Sequence, residues 1–209
     1  MRKILLGAFF VLALGLGARA QEDVTENPAD SKDNKVMTLD ELKAERASLL
    51  AMAMSEDYQK KIEKADNAKV PGDIGVAGVD ALTKVVSSLL DQLRENRNLV
   101  PQLYASVTGQ TIDGGVATDI KPVNPEQMLT FSKSLMQMGT TLLKSSKDLI
   151  SLPGEIKSAG AMKVLKSVKS VAYIKNAIGA LKQEISYNSK MVKNLMATHK
   201  MMAANTSSL

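Results

Sequence analysis

Apolar side chains along this chain recur every three or four positions from residue 38 onward, which is the signature of helices that bury one face. Thr38-Leu39-Asp40-Glu41 has the spacing of a capping box and opens a first helix, with Leu39, Leu42, Leu49, Ala53 and Ile62 as its apolar positions and Arg46 interrupting the stripe. Val70-Pro71-Gly72 should end that helix after Lys69. A second helix is marked by Val79, Leu82, Val86, Leu89 and Leu93, its start weakened by Gly72, Gly75 and Gly78. Leu99 or Val100 can extend its face up to Pro101, and Leu103 to Val107 can add a short continuation.

The third helix has the clearest start: Asn124 caps, Pro125 suits the first helical position, and Gln127 completes an approximate capping box. Met128, Phe131, Leu135, Met138, Leu142 and Leu149 form its stripe, and Leu152-Pro153-Gly154 is expected to end or sharply bend it. A fourth, very long helix is expected from near Glu155 to Asn205, with Val171, Ile174, Ile178, Leu181, Ile185, Val192 and Leu195 on one face and Gly160 or Gly179 marking bends or close contacts.

Four amphipathic segments joined by short breaks predict an all-α fold, either an antiparallel four-helix bundle or an elongated helical-hairpin assembly with a long C-terminal helix. Seven-residue spacing also allows coiled-coil pairing, within the chain or between copies. The domain is read as residues 38 to 205, followed by a frayed tail at 206–209. Its longest interruption, at 108–125, contains Gly109, Gly114, Gly115, Pro122 and Pro125. This stretch reads first as a crossover and second as a loop that presents contacts. Asp113-Gly114, flanked by Thr111, Ile112, Val116 and Thr118, also suits a brief hairpin.

The region before residue 38 has a different character. Met1, Arg2 and Lys3 precede an apolar run from Ile4 to Leu16, and Ala18-Arg19-Ala20 follows. This is the order of a cleavable signal peptide cut before Gln21, too short for a comfortable membrane span. Residues 21–37 are polar and acidic and read as a flexible lead. With no cysteine in the chain, disulfides, thiolate chemistry and cysteine-linked lipid are excluded. The expected compartment is a bacterial periplasm; the alternative is secretion or peripheral attachment to the outer membrane.

Charge is divided unevenly. Residues 21 to 125 hold 12 Lys or Arg against 18 acids, whereas residues 126 to 209 hold 12 Lys against 4 acids. The split either draws the two halves together or leaves a cationic surface for an anionic partner. Nucleic acid is not expected: aromatic residues for stacking are scarce, and every base in the second half is a lysine.

Candidate chemistry is thin. His199 is the only histidine and falls in line with the fourth-helix stripe; no His-Glu-x-x-His motif, calcium loop, phosphate-binding loop or Gly-x-Ser-x-Gly turn occurs. A hydrolase built on carboxylates such as Glu56, Asp57 or Asp113 is a formal alternative. Neither a cofactor nor a metal is expected. The methionines, at helical spacing, fill the protein's own core or line a groove.

The sequence therefore predicts an exported, non-catalytic helical interaction protein with an envelope or secreted protein partner, free to self-associate. The expected interaction surface comprises Asp113, Asp119 and Lys121 in the central loop together with Lys163, Lys166, Lys169, Lys175, Lys182, Lys190 and Lys193 on the fourth helix. Reversible attachment to an anionic membrane or lipopolysaccharide surface through that lysine-rich helix is the second reading.

Overall fold

The architecture, seen in a computed structural model, is described for residues 37–206 except 123. The expected signal at 1–20, nearly all of the polar lead and the last three residues lie outside the described residues. Among the described residues six helices form: α1 (Leu39–Ala53), α2 (Glu56–Asp66), α3 (Ala77–Asn96), α4 (Leu99–Thr108), α5 (Pro125–Ser158) and α6 (Ala161–Thr206). They fall in one compact unit that begins at Thr38. Among the described residues no strand forms, and Gln110 and Val116 make a lone antiparallel bridge.

The expected all-α fold with a long C-terminal helix is what the chain adopts. The 46 residues of α6 span about 70 Å at 1.5 Å per residue, and each of the other described helices packs on it. Side chains set the directions. Leu42 and Arg46 meet Asn194, and Tyr58 meets Tyr187, so α1 and α2 run against α6. Gly75 meets Lys163 and Arg97 meets Glu184, so α3 runs along it. The α5 helix turns back into α6 through Ala159 and Gly160, the latter at φ +94°. Taking α1–α2 and α3–α4 as two broken rods, the arrangement is an up-down-up-down bundle of four.

The stripes bury as expected: Val79, Val86, Leu93, Leu135, Ile174, Leu181 and Leu195 are essentially sealed from solvent, and a side chain of this kind contributes about 1.5–3 kcal/mol by leaving water. Three boundaries differ from the sequence reading. The first helix is broken, because Ser55 adopts extended backbone, accepts from Tyr58 N and donates its hydroxyl to Met52 O at 2.7 Å. The third does not end at Pro153. Continuing to Ser158 buries Leu152 and Ile156, and it carries Glu155 to the start of α3, where its carboxylate accepts from Gly78 N at 3.1 Å. That start has no side-chain cap of its own from Val76, so Glu155 supplies the missing acceptor and complements the helix dipole. A Cβ on Gly78 would stand 2.1 Å from the Glu155 carboxylate, so a larger residue there would push this side chain off its hydrogen bond. Consequently the fourth helix starts at Ala161 rather than near Glu155.

Arg46, which seemed to interrupt the first stripe, is 8% exposed. It donates to Asn194 Oδ1 at 2.8 Å and to Thr198 Oγ1. Asn194 in turn donates to Leu42 O at 2.9 Å and to Glu45. Burial lowers the Arg46 pKa, and Tyr104 and Glu45 oppose that shift. A polar residue thus occupies a core position because residues about 150 positions away satisfy it.

Candidate functional site

Two features could carry function, a cleft and the outer surface of the α5–α6 hairpin. The cleft, of about 700 Å³, opens where α1 gives way to α2 and α3 gives way to α4. Its apolar wall includes Leu50, Ala53, Ile62, Val100, Pro101 and Ile112. Glu184, Tyr187 and Asn188 of α6 line it together with Tyr58, whose ring meets Tyr187 edge-on with centroids 6.0 Å apart.

An ion-pair network closes one end. Arg97 grips Glu184 with two nitrogens, at 2.6 and 3.1 Å, and also donates to both oxygens of Asp66. Arg94 adds a bond to Asp66 Oδ1 at 3.0 Å and reaches Ala65 O and Asp66 O, carbonyls of the last turn of α2. Such two-pronged geometry is the strong form of charged hydrogen bond. Hydrogen bonds to Glu184 raise the Arg97 pKa over the opposing effect of burial. Burial pushes Asp66 upward, but hydrogen bonds from Arg97 and Arg94 win and hold it below the ordinary value. Burial raises Tyr58, helped by the Glu184 charge, and pushes Tyr187 up to about 12.

The outer surface of α5 is unusual for a packed helix. Its core row Met128, Leu135 and Leu142 is shadowed one residue later by Leu129, Met136, Leu143 and Ile150, which are 46, 67, 43 and 73% exposed. This second row repeats every seven residues. On the first turns of α6, Met162, Leu165 and Val168 are likewise 72, 58 and 50% exposed. The methionines therefore divide: Met128, Met138 and Met191 are buried, whereas Met52, Met54, Met136, Met162 and Met202 are exposed.

The lysines expected to form one surface fall into separate groups. On an ideal helix Lys175, Lys182, Lys190 and Lys193 lie within an arc of about 80°, with Lys166 and Lys169 outside it. Lys166, Lys169, Lys190 and Lys193 are exposed, Lys175 and Lys182 half-buried, and burial lowers the Lys175 pKa. Lys163 is tied down, donating to Gly75 O at 2.7 Å. Asp113, Asp119 and Lys121 are exposed on the central loop. Asp113 accepts from Thr111 Oγ1, Gly114 N closes the turn onto Thr111 O, and Asp119 sits at φ +56°. The Asp113-Gly114 turn thus exists, reduced to the single bridge.

The charge split is not closed by the exposed lysines Lys133, Lys144, Lys147, Lys166 and Lys169. Among the described residues the ion pair joining the two halves, Arg97 to Glu184, has the opposite polarity, and Lys133, Lys144, Lys147, Lys166 and Lys169 form no ion pair. The carboxylates considered for hydrolysis are engaged locally, Glu56 with Lys60 and Asp57 with Lys61, and neither they nor Asp113 lines the cleft. His199 is half-buried on α6. Among the described residues no group of three or more His, Asp or Glu is placed to hold a metal ion, and no helix is long and apolar enough to cross a membrane. No protein-family model, curated protein or solved structure matches this chain.

Proposed function

We propose that this chain is an exported, non-catalytic helical interaction protein that docks a protein partner along α5. The observation that carries the reading is the exposed row Leu129, Met136, Leu143 and Ile150. A repeat of seven is the period that keeps an apolar seam facing another helix, and exposed contiguous apolar surface marks interaction sites. Lys133, Lys144 and Lys147 accompany the row without ion pairs, and they would steer an acidic partner. The leader-like order of residues 1–20 supports export, to a periplasm first and to secretion or the outer-membrane surface second. The test is site-specific photo-crosslinking in the native envelope. A crosslinker at Met136 or Ile150 should give one discrete adduct that a crosslinker at Lys84, on α3, does not. Indistinguishable adducts from both faces, or none from a folded protein, would reject the reading.

A second reading has its own observation. Met162, Leu165 and Val168 are exposed beside Lys166 and Lys169, a combination suited to resting on an anionic lipid or lipopolysaccharide surface. Co-sedimentation with phosphatidylglycerol vesicles but not phosphatidylcholine vesicles, weakened by salt, is the expected result. Absence from both would remove it.

A further inference from the structure

We propose that the cleft between α2 and α4 binds an organic cation, namely a hydrocarbon body that carries a single ammonium group. The site is separate from the α5 row and does not depend on it. Its volume, about 700 Å³, is that of ligand pockets, roughly 300–1,000 Å³. Three polar side chains that line it are nearly buried yet unpartnered. Tyr58, Tyr187 and Asn188 are 7, 8 and 5% exposed, and neither phenol nor the carboxamide hydrogen-bonds to the protein. Among the described residues only Gln183 Oε1 is both sealed and unpartnered. The polar atoms of the other three therefore keep contact with open space, and the cleft is the space beside them. Those polar atoms face water in the cleft, where a guest's polar group can take the water's place.

Wall and charge define the guest. Leu50, Ile62, Val100 and Ile112 offer hydrocarbon contact. The one cation of the lining, Arg97, is held by Asp66 and Glu184, and nearby Arg94 is held by Asp66 and Asp91. Glu63, exposed among the lining residues, forms no ion pair. An anion would meet carboxylates with no unengaged base. An ammonium group would instead find Glu63 and the Asn188 and tyrosine oxygens.

Calorimetric titration of the purified protein with octylamine, octanoate and methylammonium tests this. Octylamine should bind saturably and at least tenfold more tightly than octanoate, and methylammonium should give no saturable heat. Asn188→Leu should weaken octylamine about tenfold. Because a core substitution can disturb folding, Glu63→Lys on the exposed surface provides the second arm: it should weaken octylamine and strengthen octanoate. Ile150→Lys, on the α5 row, should leave the titration unchanged, which separates this site from the docking surface. No saturable octylamine heat, octanoate as tight as octylamine, or wild-type titrations from both cleft variants would overturn the proposal.

Discussion

The two ends of α6 share one backbone and live in opposite surroundings. Between residues 184 and 198 the helix buries Ile185, Tyr187, Met191, Val192 and Leu195, and also Glu184, Asn188, Asn194 and Thr198. Between 161 and 172 it buries only Ser167 and Ser170 and leaves Met162, Leu165 and Val168 in solvent. Polar groups join the apolar ones inside at one end and large apolar groups are outside at the other, two departures from the usual distribution. The cause is the company each end keeps. The C-terminal end is wrapped by α1, α2 and α4 as well as α5, so even its polar side chains are covered and must find partners. The N-terminal end is flanked by α5 and the start of α3, and its remaining face is open. A buried amide or an exposed leucine on this helix is a statement about neighbours, not about its own periodicity.

The strongest way to test that contrast is to remove a polar partner from the wrapped end. Asn194→Leu deletes the acceptor for Arg46 and the donor to Leu42 O, leaving a buried guanidinium with one fewer partner. Unfolding in urea should show a loss of about 3 kcal/mol, the upper end of the scale for a buried group that loses a hydrogen-bond partner. A loss below about 1 kcal/mol would mean that the polar cluster is incidental to the packing.

Next in size comes a substitution expected to stabilise the open end. Pro153 lies inside α5, where it forfeits the hydrogen bond to Leu149 O and crowds the preceding turn. Pro153→Ala recovers about 3 kcal/mol of helix propensity and loses about 1 kcal/mol through a freer unfolded chain. The midpoint of denaturation should therefore rise by the equivalent of about 2 kcal/mol. A fall instead would show that a bend at Pro153 is needed to seat Glu155 against Gly78.

These cases mark what was legible in the sequence. Caps and stripes are local, so Thr38, Asn124-Pro125, and the rows through Leu82 and Ile174 could be read directly. What was missed depends on distant partners. Nothing near Arg46 announces Asn194, and nothing near Pro153 announces the Gly78 amide that rewards carrying the helix onward. The exposed α5 row had a local signal that a search for a single stripe passes over: the apolar doublets Met128-Leu129, Leu135-Met136, Leu142-Leu143 and Leu149-Ile150 recur every seven residues. One member of each doublet is more than a single core face can use. The cleft had no such signal, because it arises where two rods break and its lining comes from five separate stretches of chain.

The break between α1 and α2 gives a smaller effect. Ser55 caps α2 and its hydroxyl holds Met52 O, so Ser55→Ala should cost about 1 kcal/mol. An unchanged stability would indicate that the chain can run through as the single helix its stripe predicts, and amine binding would then report whether the cleft survives.

The smallest effect is the most informative about the open end. Met162→Ser with Leu165→Ser removes two large apolar side chains, a change that in the wrapped end would cost several kcal/mol through lost burial and cavities. At 72 and 58% exposure they have little burial to lose, and stability should move by no more than about 0.5 kcal/mol. A loss above about 2 kcal/mol would show that the purified protein already covers this face, making the end an internal contact and not a docking surface. A neutral result accompanied by loss of vesicle binding would instead assign the exposed methionine and leucine to a lipid surface, since residues that contribute nothing to folding have then been shown to contribute to attachment.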